Sequence, residues 1–165
     1  MPKVLARFPD AHLTIIGDGP LRRPLEALCR ELDITGQVTF KGSLTNAEIP
    51  PFLQGSAISI FPSIVTDAGD QEGSPVAIME ALASGCAAIV ADYPGASDMI
   101  DNGTSGLVVP GRSSEAIAEA ILTLLDNAEL RHRLGENGRQ QVQAHYDWAV
   151  ISNQFIDVFE QVSTG

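Results

Sequence analysis

Basic residues are scarce in this sequence. Ten lysines and arginines stand against twenty-one aspartates and glutamates, which gives a net charge of −11. Binding to nucleic acid requires clustered lysine and arginine at the phosphates, so this balance argues against a nucleic acid partner. Aromatic residues make up only 5% and charged residues 19%, whereas 44% of the residues are hydrophobic. This composition is typical of a folded globular protein and not of a disordered one.

Cysteines are few and long apolar runs are absent. The two cysteines, Cys29 and Cys86, are far apart and lie in apolar contexts, which predicts reduced thiols in the core. No stretch approaches the ~18–20 apolar residues of a membrane span. The first ten residues, MPKVLARFPD, lack the apolar segment of a signal peptide, so we expect a cytoplasmic chain.

Short apolar segments alternate with helical patterns along the chain. The segments are continuously apolar, as in a parallel sheet that is covered on both faces. The predicted strands are 12–17, 37–40, 57–62, 87–91 and 106–109. The predicted helices are 24–32, 47–55, 75–84, 113–126, 128–145 and 148–162. The alternation predicts an α/β fold: a doubly wound, Rossmann-like, mostly parallel sheet of about five strands, with helices on both faces and a helical C-terminus.

Capping residues mark the ends of several predicted helices. Ser74 before a proline is typical of a helix start, and Gly85 of a helix end. Thr45 followed by Glu48 has the spacing of a capping box. The longest polar connection, residues 65–71, leads into the helix that starts after Ser74. Ligands in open α/β sheets bind beyond the carboxyl ends of the strands, so we expect this connection to be functional.

A Gly-Asp-Gly-Pro turn follows the first predicted strand and precedes a helix. It does not complete a dinucleotide fingerprint, because Arg22 stands at the third glycine position and no acidic residue follows at the required strand end. Two interpretations stay open. The turn is only a tight strand–helix connection, or Gly17 and Gly19 let a nucleotide approach the backbone. In the second case Arg22 and Arg23 are candidate phosphate partners.

The titratable side chains form no recognisable metal or nucleophile motif. Asp67 and Asp70 lack a histidine or a third carboxylate at suitable spacing, so we interpret them as solvated loop acids. His12, His132 and His145 are scattered, and none pairs with a serine or cysteine nucleophile motif. The sequence therefore predicts neither a metal site nor acyl-transfer chemistry.

Two glutamates, Glu72 and Glu80, flank the start of the helix predicted at 75–84. Main-chain N–H groups at that start would face outward at the positive end of the helix dipole and form an anion site. These groups belong to Gly73, Ser74, Val76 and Ala77. A phosphate there would have one carboxylate on each side, and carboxylates can hold vicinal sugar hydroxyls, which together fit a nucleotide sugar. The pattern alone fits a second interpretation equally well, in which Glu72 is a loop acid favoured by the dipole and Glu80 occupies an exposed helix position.

Five co-linear motifs cover nearly the whole chain. In order they are G-D-G-P at 17–20, F-K-G at 40–42, F-P-S at 61–63, E-x7-E with A-L-A-S-G at 72–85, and D-N-G-T-S-G-L-V-V-P at 101–110. Together they resemble the family-4 retaining glycosyltransferases of the GT-B fold, and Y-D-W at 146–148 resembles the terminal motif of that family. The form G-D-Q-E-G at 69–73 looks most like bacterial members that build exopolysaccharide or capsule.

The resemblance implies a role for each matching position. Glu72 would be the catalytic residue and bind hydroxyls of the transferred sugar beside the anomeric carbon, whereas Glu80 would bind the ribose hydroxyls. The backbone of residues 73–77 would hold the distal phosphate and the sugar, and the backbone of residues 41–44 would meet the base. The implied nucleotide-sugar contacts are those of Gly73, Ser74, Val76, Ala77, Glu80, Gly17, Gly19 and Leu44.

The resemblance also implies an activity and partners. The reaction would be retaining transfer from a UDP- or GDP-linked sugar to an acceptor in polysaccharide or glycan biosynthesis, with no cofactor and no metal. In full-length members an acceptor domain comes first, followed by a strand whose loop supplies an Arg and a Lys to the diphosphate, and this chain starts after both. Residues 1–165 are thus expected to be a single donor-binding domain, inactive alone, from an enzyme with at most peripheral membrane association.

The absent strand would be the central one in a sheet of order 3-2-1-4-5-6. We therefore expect strand 12–17 to pair directly with strand 57–62 in one five-stranded sheet, because a gap would leave main-chain groups unpaired. Two other functions stay open. The chain is a stand-alone nucleotide-binding module that works with a separate acceptor domain, or it is an inactive fragment or scaffold.

Overall fold

A computed structural model of the chain describes residues 1–64 and 76–163. The chain divides into two compact units, residues 1–52 and 53–165. Every pair of neighbouring strands is parallel. The α/β class with parallel strands and a helical C-terminus is thereby confirmed, whereas the single domain over residues 1–165 stays a prediction.

Five strands and seven α-helices lie in the described residues, and the predicted elements agree with them to within two residues at most ends. In chain order they are α1 (Pro2–Arg7), β1 (Leu13–Ile16), α2 (Arg22–Glu31), β2 (Val38–Gly42), α3 (Ile49–Gln54), β3 (Ile58–Phe61), α4 (Val76–Ala83), β4 (Ala87–Ala91), β5 (Leu107–Val109), α5 (Ser114–Asp126), α6 (Ala128–Tyr146) and α7 (Trp148–Ser163). The short helix α1 was not predicted.

A two-stranded parallel sheet forms the centre of the first unit. β1 pairs with β2, with Leu13 opposite Val38 and a register shift after Ile15. Cys29, on α2, is buried against this sheet with Ile34 and the first residue of β2. The apolar residues of α1, β1 and β2 complete this small core and place the ends of both strands at one edge.

β4 is the central strand of a three-stranded parallel sheet in the second unit, between β3 and β5. All five residues of β4 are buried, as expected for a strand covered on both faces. The core around this strand includes Ile78 and Leu82 of α4, which are fully buried, and Val142 of α6. α4 therefore packs on the strand through one apolar face and directs its other face away from the core.

The predicted pairing of the first strand with the third was wrong. β1 bonds to β2, and β3 bonds to β4. Among the described residues, no hydrogen-bonded pairing joins β1 to β3. The five strands thus form a two-stranded and a three-stranded sheet. An apolar pattern indicates which faces of a strand are covered. It does not indicate which strand lies beside it, because strands pair through main-chain hydrogen bonds that hydropathy does not reveal.

Two glycines bring α6 into contact with α4 and the chain around it. A Cβ added at Gly135 would overlap the carbonyl oxygen of Gly85. A Cβ added at Gly138 would lie 2.7 Å from Leu82 Cδ2 and 2.9 Å from the carbonyl oxygen of Ser105. Gly85 has a φ of 73°, which favours glycine, and it follows the last turn of α4 as predicted. Close approach at both glycines fixes the position of α4.

Candidate functional site

The predicted site residues fall into three groups. Glu72, Gly73 and Ser74 lie outside the described residues, as do the loop acids Asp67 and Asp70. The second group is at the start of α4, in the second unit. The third group is formed by the turn after β1 and by segment 41–44, both in the first unit.

The start of α4 presents main-chain donors. The first four N–H groups of an α-helix have no acceptor within the helix, and the helix dipole is positive at this end. Val76 and Ala77 supply two of these groups, and both residues are exposed, Val76 to 59%. The next residue, Ile78, is fully buried and anchors this end of the helix in the core. An anion at this end of the helix stays a prediction.

Glu80 lies one turn beyond Val76 on the same helix and is half-buried. Its main-chain carbonyl accepts a hydrogen bond from Ser84 Oγ at 2.8 Å. Its carboxylate has no hydrogen bond and no ion pair within the described part of the chain. A ligand hydroxyl could therefore bind this carboxylate without displacing a partner among the described residues.

The glycines of the Gly-Asp-Gly-Pro turn are exposed at the carboxyl end of β1. Gly17 has a φ of 124°, in the region that favours glycine, and its N–H donates to the carbonyl oxygen of Gly42 at 2.8 Å. Asp18 Oδ1 accepts the N–H of Gly19 at 2.8 Å. The turn thus presents bare main chain at the edge where ligands of parallel sheets bind.

The Arg22 side chain is held by two carboxylates, those of Asp18 in the turn and of Glu26 on α2. Its Nε donates to Glu26 Oε1 at 3.0 Å, and its Nη1 is 3.6 Å from Asp18 Oδ2. The hydrogen bond to Glu26 is the main cause that raises the pKa of the Arg22 guanidinium above its ordinary value. The charge is already balanced, which argues against the phosphate contact considered from the sequence. The i, i+4 spacing of Arg22 and Glu26 was the signal that would have revealed this pair.

Segment 41–44 and the turn that follows it are held by local contacts. The Lys41 ammonium lies 5.4 Å from the centre of the Phe52 ring. The N–H and the hydroxyl of Thr45 donate to Glu48 Oε2 at 2.8 and 2.6 Å. Because α3 begins only at Ile49, this pair closes a turn before the helix, and the predicted capping box at Thr45 was wrong. Leu44, between these contacts, is half-buried. The segment that was predicted to contact the base therefore has side-chain contacts at Lys41 and at Thr45, one at each of its ends.

The D-N-G-T-S-G motif forms a structural turn before β5. Ser105 is 1% exposed, and its Oγ accepts the N–H of Asp101 at 2.9 Å. Asn102 Oδ1 accepts the N–H of Val108 at 2.9 Å and so fixes the start of the strand. These side chains satisfy the main chain of the turn, and their role in this unit is structural.

Both cysteines are free and buried, as predicted. The Ser59 hydroxyl donates to the sulfur of Cys86 at 3.0 Å, and burial raises the pKa of that thiol. Within residues 1–64 and 76–163, no group of three or more His, Cys, Asp or Glu side chains could hold a metal ion. Among the helices of the same residues, none combines the length and the hydropathy needed to cross a bilayer.

The sequence is similar to named bacterial enzymes. It is 30% identical over 158 residues to the GDP-mannose-dependent alpha-(1-6)-phosphatidylinositol monomannoside mannosyltransferase of Mycobacterium tuberculosis, a match over 95% of this chain and 41% of that protein. It is 28% identical over 153 residues to the alpha-D-kanosaminyltransferase of Streptomyces kanamyceticus, over 93% of this chain and 38% of that protein. The chain thus spans about two-fifths of the length of these relatives.

The fold is similar to solved structures. Sucrose-phosphate synthase from Thermosynechococcus elongatus matches 99% of this chain and 41% of its own, with a TM-score of 0.83 and 26% identity. The C-terminal domain of the glycosyl transferase group 1 family protein LpcC from Francisella tularensis matches 89% of this chain and 77% of its own, with a TM-score of 0.75 and 26% identity. HepE from Anabaena, at 19% identity and a TM-score of 0.85, shares the fold over 97% of this chain and 44% of its own.

A family model supports the same assignment from the sequence. The model described as Glycosyl transferases group 1 matches residues 1–141, which include the five strands and the first five helices. The match extends over both units and over every one of the five motifs. The chain therefore belongs to the family of glycosyl transferases group 1.

Proposed function

We propose that this chain is the donor-binding half of a retaining glycosyltransferase that uses a nucleotide-diphospho-sugar. The observation that carries the proposal is the half-buried residue Glu80, whose carboxylate no described side chain neutralises, one turn beyond the exposed start of α4. Val76 and Glu80 are four residues apart and so share a helix face. The start of α4 would thus offer N–H groups to a phosphate, and Glu80, one turn further along, would offer its carboxylate to vicinal hydroxyls.

The donor is a UDP- or GDP-linked sugar. With a net charge of −11, the chain would attract a diphosphate through main-chain N–H groups at a helix start more than through side chains. The M. tuberculosis relative is GDP-mannose-dependent by name, and HepE was solved in complex with UDP. The base would contact the backbone of segment 41–44, including Leu44, beside the turn formed by Gly17 and Gly19.

The reaction breaks the bond between the anomeric carbon and the diphosphate oxygen, and forms a bond from that carbon to the acceptor oxygen with the same configuration. The leaving diphosphate takes the proton of the acceptor hydroxyl. Glu72 binds hydroxyls of the transferred sugar beside the anomeric carbon. An N-terminal acceptor domain is the required partner, so residues 1–165 bind the donor and do not transfer it alone. A metal-free reaction, a place in polysaccharide or glycan synthesis, and a cytoplasmic location stay predictions.

Calorimetric titration of the 165-residue chain with UDP, GDP and ADP tests the proposal. We expect one nucleotide to bind, and Glu80→Ala to weaken it roughly 10- to 100-fold, as for the loss of a charged hydrogen bond. Glu119→Ala is the matched control, because Glu119 is an exposed acid on α5. The 2′-deoxy form of the same nucleotide should bind the unmodified chain less tightly, and this difference should vanish in Glu80→Ala.

Two results would contradict the proposal. If the unmodified chain binds no nucleotide, donor binding is wrong and the inactive scaffold is favoured. If the 2′-deoxy difference persists in Glu80→Ala, the ribose contact of Glu80 is wrong. Radiolabelled sugar transfer by the chain alone would refute the requirement for an acceptor domain.

A further inference from the structure

Arg22 lies against Gly42 in the first unit. A Cβ added at Gly42 would be 3.2 Å from Arg22 Nη1, so the guanidinium occupies the side where another residue would carry its side chain. Gly42 has a φ of 72°, and its carbonyl oxygen accepts the N–H of Gly17 at 2.8 Å. The guanidinium is itself fixed, because Nε donates to Glu26 Oε1 at 3.0 Å and Nη1 is 3.6 Å from Asp18 Oδ2.

We propose that Arg22 is a positioning residue for segment 41–44. Asp18 and Glu26 hold the guanidinium on the bare face of Gly42, and the guanidinium in turn holds the main chain that contacts the base. The inference rests on the proposed function, since that function assigns base contacts to this segment. Arg22 acts through the loop and does not touch the phosphates, because its charge is shared between two carboxylates.

The planar shape of the guanidinium is central to this role. Arginine presents donors in a rigid fork and a flat face, whereas lysine presents one compact ammonium. A lysine at position 22 could keep an ion pair with Glu26, but it could not at the same time cover Gly42. Glycine is the most conformationally free residue, so an uncovered Gly42 would let segment 41–44 sample other conformations. Base contacts would weaken, while phosphate contacts at another element would not.

The first experiment measures amide hydrogen exchange by NMR in the chain without ligand. In Arg22→Gln we expect the Gly17 amide, which donates to Gly42, to exchange roughly tenfold faster, as for the loss of support for one hydrogen bond. Amides within the β1–β2 pair should be unaffected. Arg22→Lys should behave as Arg22→Gln does, and the matched control Arg23→Gln, at the exposed neighbouring position, should not. Unchanged Gly17 exchange in Arg22→Gln overturns the proposal.

The second experiment compares the affinities of UDP, GDP, ADP and inorganic pyrophosphate for the same variants. In Arg22→Gln the affinity ratio between the best and the worst base should fall by about tenfold, with pyrophosphate affinity unchanged. An equal loss for all four ligands would show that Arg22 is a phosphate ligand and would overturn the proposal. Rescue by Arg22→Lys would show that a positive charge alone suffices and would overturn the role of the planar guanidinium. If the unmodified chain binds no nucleotide, the proposed function fails, and Gly17 exchange alone decides whether Arg22 positions the segment.

Discussion

Gly135 of α6 lies over the carbonyl oxygen of Gly85 so closely that no side chain fits between them. Neither partner can yield easily. The obstructing atom belongs to the main chain, and Gly85 has a φ of 73° at the end of α4, where most residues would be strained. The contact joins the long helix α6 to the helix that carries Glu80.

The first prediction concerns the two glycines of α6. Alanine normally stabilises a helix relative to glycine by ~0.5–1 kcal/mol, but at these positions we expect a net loss of about 1–3 kcal/mol in the free energy of unfolding, because the added methyl group forces packed atoms apart. Gly135→Ala should lose more than Gly138→Ala, since the added Cβ would overlap the carbonyl oxygen of Gly85, whereas at Gly138 the contacts with Leu82 and the carbonyl oxygen of Ser105 are less close. Urea denaturation measures both. Gly36→Ala, at a site with open space around it, is the control, and equal stability of all three variants would contradict the prediction.

The second prediction concerns two buried hydroxyls. Tyr93 is 3% exposed, and its hydroxyl has no hydrogen-bond partner among the residues that the structure describes. A buried hydroxyl without a partner costs about 1–3 kcal/mol, so Tyr93→Phe should be as stable as the unmodified chain or more stable. Ser105→Ala is the matched case, because Ser105 Oγ accepts the N–H of Asp101, and it should lose about 1 kcal/mol. Thermal and urea unfolding compare them. A clear loss in Tyr93→Phe would reveal a partner for the hydroxyl.

The third prediction concerns pH. Hydrogen bonds from the hydroxyl and the N–H of Thr45 lower the pKa of Glu48. A carboxyl whose pKa is lowered by folding stabilises the folded state above its unfolded pKa of about 4.3, and this contribution disappears as the pH falls through the folded pKa. The stability advantage of the unmodified chain over Glu48→Gln should therefore be full at pH 7 and shrink at acid pH. Urea midpoints from pH 7 to pH 3 measure it, with Glu119→Gln as the control. An advantage that does not change with pH would argue for a steric role.

The fourth prediction concerns the Cys86 thiol. Burial raises its pKa, and the Ser59 hydroxyl bonds to its sulfur. Because the thiolate is the reactive form, we expect labelling by a disulfide reagent at pH 8 to be about 100-fold or more slower than that of a free thiol, and to accelerate in urea as the unit unfolds. Cys29→Ala isolates the signal of Cys86. Fast labelling without denaturant would show that the second unit opens locally at β4.

Local chemistry made much of the fold predictable. β4 was predicted at residues 87–91 and lies there, because a short run of Ala, Ile and Val between turn residues has few alternatives. The end of α4 before Gly85 followed from backbone freedom. The start of α5 has an equally local cause, because Ser113 Oγ accepts the N–H of Ala116 at 3.1 Å. Such signals lie within a few residues of the feature that they determine.

Contacts between distant positions were not predictable in this way. Gly135 and Gly138 meet partners more than thirty positions away, and nothing near them in the sequence distinguishes a packing glycine from a weak helix position. The pairing of β1 failed for the same reason. At the candidate site, the sequence identified Glu80 as a lone acid in an apolar helix. The i, i+4 spacings that pair Arg22 with Asp18 and Glu26 were present in the sequence but were not used. Charge counts report how many cations there are and not which of them are already engaged.

The approach of Gly138 to Leu82 has an evolutionary consequence. The two positions share one small volume, so a lineage could gain a methyl group at 138 only after a smaller residue had arisen at 82, or at the same time. The order of such changes is constrained, since the reverse order passes through an overpacked intermediate. Because position 82 lies two residues from Glu80, a change in α6, more than fifty positions further along the chain, would be accompanied by a change beside the proposed donor site.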